Sequence, residues 1–386
     1  MGRRIPDPAA RRPDGSPDVQ TGVALSMFTL FFVLTSPASA AEWRGAVGAH
    51  ISQSSNGAMD VGWRAGDWQA ELLTDTVDVR WRPEDERGRA WVAGRVQLGA
   101  AGLMIAPWAD GAPAPGSALA AFYAGAEGGR LWYLPRGLYG GFDARAQHWW
   151  FRGVQTTDRA VPAAQARSEG AGILGWWTTP VQAWVRVGAH GAPDAGAIGL
   201  DTPIRSGTPL PRVGADAPAV RRVQPFAHLT LTARPPDRRV TPRAELRVGW
   251  TDGADAISRT RLGGNSPYAV PLSGAGWAEF WVDRYAAVRA GPGLDLGAAR
   301  VDAVVDAAIW QGTTDWGGTA DGTLPTHAVG IGLLSRFQPG RLTVDVDAGV
   351  APWLPRRDGL AWSVWTLVSV PWDTRANASV ASESGG

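Results

Sequence analysis

The sequence predicts an all-β protein, an antiparallel transmembrane β-barrel of about 14 strands within a range of about 12 to 16. The first observation is that apolar and polar residues alternate at every second position, which indicates extended strands with two unlike faces. In Arg341–Val350, Asp and Arg alternate with small aliphatic side chains. Polar residues suit a lumen, and small aliphatic residues with tryptophans near the strand ends suit a wall in lipid.

The second observation is that short and long connections alternate from Trp68 onward. Short turns are predicted near residues 84, 136, 180, 237, 292 and 339, and long segments near 110, 160, 207, 264, 318 and 355. Outer-membrane barrels have short periplasmic turns and long extracellular loops. We therefore expect the long segments together outside the cell.

The third observation is the composition. Only 19% of the 386 residues are charged, against about 25% in soluble domains. The mean hydropathy of -0.13 is too low for a helical membrane bundle. A net charge of +1 gives no basis for binding nucleic acid. Because there is no cysteine, disulfides, thiol catalysis and thiolate metal sites are excluded.

The N-terminus, residues 1–40, has the features of an export signal. Arg3 and Arg4 begin a positive region, Val23–Leu34 is an apolar core, and Ala38-Ser39-Ala40 forms a small-residue cleavage site. The apolar run is shorter than the roughly 20 residues that a spanning helix needs. We expect the barrel in residues 41–372 and a polar tail in residues 373–386; the translation start stays open.

The barrel segments follow in order. The Asn56-Gly57 hairpin signal lies in Glu42–Gly66, which adds a pair of strands or forms a partial plug. After it we predict strands over Trp68–Trp81, Arg89–Leu103, Ala118–Leu134, Leu138–Arg152, Gly170–Thr178, Val181–His190, Phe226–Arg234, Arg243–Trp250 and Trp277–Ala290, a tight turn at Gly291-Pro292-Gly293, and three final units between Leu296 and Trp372. Arg284 falls on the apolar face of its segment, so we expect a bulge there or a position near the headgroups.

Two sets of side chains follow from this alternation. A lumen-lining, ion-paired network is predicted from Arg243, Glu245, Arg247, Glu279, Asp283, Arg289, Arg300, Asp302, Asp306, Arg336, Asp345 and Asp347. Aromatic residues at the membrane interface are predicted at Trp150, Trp250, Trp310, Trp362 and Trp372, because interfacial girdles lie at strand ends.

These features together resemble bacterial outer-membrane β-barrel proteins. The closing strand, in which Val364, Val368 and Val370 lead to the aromatic Trp372, is similar to the signal that the barrel-assembly machinery recognises. The resemblance implies a location in the outer membrane, contact with its lipid, and insertion by that machinery.

A narrower resemblance is to surface-antigen (Omp85-type) barrels, here without periplasmic domains. It rests on the loop Arg261-Leu262-Gly263-Gly264-Asn265-Ser266-Pro267-Tyr268, followed by Trp277-Ala278-Glu279-Phe280 and four more strands. In that family the loop before the fifth-last strand folds into the lumen, which makes Arg261, Gly263, Gly264 and Tyr268 lumen candidates. The family's Arg-Gly-aromatic tip is absent from this sequence.

No catalytic or cofactor motif is present. There is no Gly-x-Ser-x-Gly elbow, no phosphate-binding loop and no His-Glu-x-x-His, and the five histidines lack metal-ligand spacing. We therefore expect an integral outer-membrane barrel without catalytic activity, a channel or surface-antigen-like protein that needs no cofactor or metal. One alternative is an outer-membrane lipid hydrolase or acyl-modifying barrel that uses His148 with a Ser on the neighbouring strand. The other is an exported soluble β-sandwich that binds carbohydrate through tryptophans. Substrate and oligomeric state stay open.

Overall fold

The computed structural model describes residues 42–51, 55–73, 76–97, 103–105, 108–109, 112–113, 119–153, 164–178, 180–191, 223–233, 239–252, 258–264, 269–276, 279–311, 326–339, 342–354 and 359–370. The predicted signal peptide, the polar tail, Tyr268 and Trp372 lie outside these residues and stay predictions. Within this part of the chain, no helix has the length and apolar character needed to cross a membrane.

The wall is a single antiparallel sheet in which 16 strands follow one another in chain order. They are β1 (Glu42–Ile51), β2 (Ser55–Ala65), β3 (Trp68–Leu73), β4 (Thr76–Trp81), β5 (Gly88–Gln97), β6 (Leu119–Tyr133), β7 (Leu138–Gly153), β8 (Ala164–Trp177), β9 (Val181–Gly191), β10 (Val223–Ala233), β11 (Val240–Thr251), β12 (Arg284–Asp295), β13 (Ala299–Gln311), β14 (His327–Phe337), β15 (Thr343–Ala351) and β16 (Ala361–Val370).

The sheet closes on itself. β1 pairs with β2 on one side and with β16 on the other, from Gly45 opposite Val370 to Ile51 opposite Val364. Closure matters in lipid because a free sheet edge would leave backbone N–H and C=O groups without partners. The predicted antiparallel closed barrel is confirmed.

The strand number is 16 rather than about 14. The segment Glu42–Gly66 adds the pair β1 and β2. The segment Trp68–Trp81 is two strands instead of one, with Leu73 opposite Thr76. Between them lie Thr74 and Asp75, which include no Gly or Pro to mark a turn.

Two predictions around β12 are wrong. The segment Trp277–Ala290 is not one strand, because Phe280–Val282 pairs with Thr260–Leu262 apart from the wall and β12 begins only at Arg284. Gly291-Pro292-Gly293 is not a turn but lies inside β12, with Pro292 opposite Pro242 of β11. Neither proline has an N–H to lose from the ladder, and the chain turns at residues 296–298 instead.

The two faces of the wall differ as the alternation predicts. On β13, Asp302 and Asp306 are buried, whereas Val305 is 50% exposed and Ile309 is 63% exposed. Arg284, the exception on the apolar face, is the first residue of β12 and therefore lies at the rim. Large apolar side chains outside and charges inside are the reverse of a soluble fold and are what lipid requires.

The wall is uneven in height. Strands β3 and β4 have six residues each, whereas β6 has 15 and β7 has 16. The outward side of β3 and β4 carries Trp68 and Trp81 at one end, and both are exposed.

The depth-dependent cost of a charge in lipid tests which face is outward. Val305→Arg, in the middle of β13, should lower the free energy of unfolding in lipid vesicles by about 2–4 kcal/mol, while Leu294→Arg, near the end of β12, should cost roughly 0–1 kcal/mol. Denaturant titration in vesicles measures both. Equal costs at the two positions would contradict this orientation of the wall.

Candidate functional site

The connection between β11 and β12 turns into the barrel. We call residues 258–283 the infolded segment; the structure describes residues 258–264, 269–276 and 279–283 of it. Its short strands Thr260–Leu262 and Phe280–Val282 pair with each other, and Leu262 also bridges to Val270. β12 is the fifth-last strand, and Arg261, Gly263 and Gly264 lie in this segment.

One side of the infolded segment forms an apolar core against the inner wall. Phe280 is fully buried, and its ring lies 4.7 Å from that of Trp310. Leu262, Leu272 and Leu354 belong to the same cluster. Trp310 is only 3% exposed and points inward, so its prediction as an interface aromatic is wrong. Trp310 follows Ala308 by two residues on β13, so its side chain also points inward. There it packs in the apolar core formed with the infolded segment.

The polar anchor of the segment is Asp306 on β13, which is 1% exposed. Its Oδ2 accepts a hydrogen bond from the backbone N–H of Ser273 at 2.7 Å. Arg289 of β12 donates to the same carboxylate through Nε at 2.6 Å and Nη2 at 2.7 Å. The backbone N–H of Gly274 donates to the Ser363 hydroxyl on β16 at 3.1 Å. A buried carboxylate is stable only with such partners.

A patch of glycines lets the backbone of Ser273 approach this anchor. Gly330 and Gly332 on β14 and Gly349 on β15 point inward, and Gly332 is directly opposite Gly349. A Cβ on Gly349 would lie 2.6 Å from the Cβ of Ser273, and Cβ atoms on the other two would clash with Ser273 more severely. We call these three residues the glycine seat. Its signal in the sequence is the set of glycines at inward positions between apolar residues.

Three predicted charged or lumen residues have roles within the infolded segment. The guanidinium of Arg261 lies over the Trp281 ring, 3.3 Å from its centroid. Burial, with a contribution from Arg259, lowers the pKa of Arg261 to about 9, so it stays charged at neutral pH. Glu279 Oε2 accepts from the N–H of Gly276 at 2.8 Å, and Asp283 pairs with Arg259 at 2.8 Å. Glu279 and Asp283 were predicted on a wall strand and are instead part of the segment.

The remaining predicted charges lie on the inner wall of β11–β15. Arg300 donates to Asp302 at 2.9 Å and Arg336 to Asp345 at 2.6 Å. Arg247 pairs with Glu245, and Arg243 lies 3.5 Å from Asp302. With the anchor these residues form the mixed-sign interior that the alternation indicates.

A second ion-paired group lies on the opposite wall, outside the charged network that the sequence predicts. Arg186 of β9 bonds to Asp143 of β7 at 2.7 Å and also contacts Glu169 of β8. Glu169 in turn pairs with Arg145 at 2.9 Å and His190 at 3.1 Å. These residues share the inward parity of their strands, which is the signal that could have found them.

The outward aromatics and His148 are exposed on the outer surface. Trp150, Trp250 and Trp362 are exposed there, and their contact with lipid headgroups stays a prediction. His148 lies beside Trp150, with ring centroids 4.6 Å apart. Ser168 on β8 is opposite Ala146, and among the described residues no hydrogen bond joins it to His148. In the same part of the chain no cluster of His, Asp and Glu could hold a metal ion.

The closed barrel is similar in fold to two solved outer-membrane barrels. BamA from Haemophilus ducreyi lacking POTRA domains 1–3 matches with a TM-score of 0.56 and 10% identity, over 86% of this chain and 70% of that one. CdiB from Acinetobacter baumannii matches with a TM-score of 0.51 and 11% identity, over 86% of this chain and 60% of that one. The chain therefore spans less than two thirds of CdiB. No family model and no curated protein matches the sequence.

Labelling of a single thiol tests the glycine seat. Because the chain has no cysteine, Ser273→Cys introduces a unique thiol at a fully buried position, and we expect it to react slowly with a maleimide. Adding Gly332→Val should displace the segment and accelerate labelling about tenfold or more, because overpacking costs about 1–3 kcal/mol. Gly170→Val is the matched control, since a Cβ there meets nothing within 4 Å. Equal labelling rates in the two double variants would contradict the seat.

Proposed function

We propose that the protein is a non-catalytic outer-membrane channel whose lumen is occluded by the infolded segment. The observation that carries this proposal is the contact of Ser273 with Asp306 on the glycine seat. It fixes the segment across the inner wall of β12–β16, where it would obstruct passage along the axis.

The wall supports a pathway for polar solutes rather than a packed core. Inward charges of both signs extend over both halves of the barrel, and several keep part of their surface exposed, with side-chain exposures of 25% for Arg80 and 24% for Glu127. Charged rings select solutes by sign and size in pores. Opposed charges on neighbouring strands would give the wall as a whole weak discrimination between cations and anions, and a preference for solutes with a polar group over wholly apolar ones.

The position of the segment suggests how the channel opens. The segment is linked to the wall by hydrogen bonds at Ser273 and Gly274 and by apolar packing around Phe280. Loss of the contacts at Ser273 and Gly274 would free the middle of the segment while its ends stay continuous with β11 and β12. Opening would then be a local displacement inside a fixed wall.

Orientation and partners complete the proposal. With short turns on the periplasmic side, the long connections, including residues 192–222, would face outward as surface-antigen-like loops, and the infolded segment would enter from outside. The closing strand β16 would be the element that the barrel-assembly machinery recognises, and lipid would contact the outward aliphatic rows.

Conductance of the Asp306→Ala variant tests the proposal. The change removes the acceptor of the Ser273 N–H and the buried partner of Arg289, and breaking such a pair costs about 3–5 kcal/mol. In planar bilayers we expect a severalfold rise in mean conductance. Asp143→Ala is the matched control, because it removes an ion pair with Arg186 on the opposite wall that does not touch the infolded segment, and its conductance should stay close to that of the unaltered protein.

Folding of each variant is checked by the shift in gel mobility between heated and unheated samples. If Asp306→Ala does not insert, Ser363→Ala removes the acceptor of the Gly274 N–H at a smaller cost and should raise conductance in the same direction. A folded Asp306→Ala barrel that conducts no more than Asp143→Ala would refute occlusion by the segment.

A further inference from the structure

A cavity of about 400 Å³ lies in the lumen beside the infolded segment. On the inner wall it is lined by two rows of residues that lie opposite one another on β13, β14, β15 and β16. Both rows are between the glycine seat and the short turns. The first row is Arg300, Arg336, Asp345 and Leu367, and the second is Asp302, Leu334, Asp347 and Trp365. Ala269 and Pro271 of the segment complete it, together with Arg243, Glu245, Arg247 and Arg289.

The first row brings two like charges together, each of which is also paired with an aspartate. Arg300 on β13 is directly opposite Arg336 on β14, and both line the cavity. Like charges directly opposite on one face of a sheet destabilise the pair. An anion between the two guanidinium groups would remove that repulsion.

The cavity also has more hydrogen-bond donors than acceptors. A guanidinium carries five N–H donors. Arg300 uses Nε on Asp302, and its Nη2 is buried without a partner. Arg243 is 3.5 Å from Asp302 and 3.6 Å from Glu245, which are ion-pair distances longer than a normal hydrogen bond. Asp302, Asp345 and Glu245 are already engaged by arginines. Asp347 is the remaining acid of the lining, so five arginines face four acids there.

Three apolar side chains lie among the charges of the same two rows, which is unusual for the inward face of a barrel wall. Trp365 is only 8% exposed and is directly opposite Asp347. Leu334 and Leu367 also point inward at positions where the neighbouring strands carry charges. An apolar surface beside unused N–H donors fits a ligand with one anionic group and one apolar or aromatic part.

We propose that this cavity is a binding site for small amphipathic anions. The carboxylate or phosphate of the ligand lies between Arg300, Arg336 and Arg243, and its apolar part packs on Trp365, Leu334 and Leu367. Asp347, which also lines the cavity, repels the anion and weakens binding. This inference deepens the proposed function, on which it rests, by naming the class of solute that the channel takes.

Calorimetric titration of the detergent-purified barrel with phenylacetate tests the proposal. Phenylethylamine carries the same ring with the opposite charge, and inorganic phosphate is an anion without an apolar part. We expect phenylacetate to bind more tightly than either. Arg300→Gln should weaken phenylacetate binding about tenfold, as expected for loss of one charge-assisted contact. Asp347→Asn should strengthen it, and Trp365→Ala should weaken phenylacetate while leaving phosphate unchanged.

Arg145→Gln is the matched control, because it removes a lumen arginine from the opposite wall and should not change binding. Equal binding of phenylethylamine, or equal losses in Arg300→Gln and Arg145→Gln, would overturn the proposal, as would the absence of phenylacetate binding to folded barrel. The titration involves no conduction. A barrel that binds phenylacetate but never conducts refutes the channel alone, and one that conducts without binding it refutes the cavity site alone.

Discussion

The whole structure depends on one requirement, that every backbone hydrogen-bonding group in the hydrocarbon layer has a partner within the chain. Pairing of β1 with β16 meets it by joining the first strand to the last. Once the wall is closed, the period of two in each strand separates an apolar outside from a charged inside. The prolines opposite each other in β11 and β12 are tolerated because neither has an N–H to lose and the pairing of β11 with β12 continues on both sides of them. The charged lumen therefore exists only because the sheet is closed.

Within this wall, the buried carboxylate of Asp306 binds the backbone of the infolded segment. Asp306 binds the backbone of Ser273 rather than its side chain, so any residue small enough to fit against the glycine seat could make this contact. The requirement falls instead on Gly330, Gly332 and Gly349, which must lack side chains to admit that backbone. Three inward glycines and one aspartate are thus enough to position the infolded segment against the wall.

The sequence predicted the closed antiparallel barrel and the inward charges because both follow from alternation, which is local. It did not predict that Trp68–Trp81 is two strands, because Thr74-Asp75 contains no Gly or Pro. It also did not predict that β12 continues through Pro292, because whether a strand tolerates a proline depends on the strand beside it. Trp310 shows the same limit. Its position near a strand end indicated the membrane interface, but its parity points inward, and the infolded Phe280 covers it. Contacts of the infolded segment are non-local, so periodicity could not assign Ser273 to Asp306.

The low sector of the wall affects the membrane itself. Six residues of strand reach only roughly 20 Å, and strand tilt reduces the height of β3 and β4 further, below the apolar band of about 25 Å that barrels present to lipid. Acyl chains beside these two strands must shorten or splay to avoid the polar rim, at a cost of fractions of a kcal/mol for each ångström of hydrophobic mismatch. Among the described strands, the mismatch with the bilayer is therefore greatest beside β3 and β4. This sector begins two strands from the closing pair and lies away from the strands that carry the glycine seat.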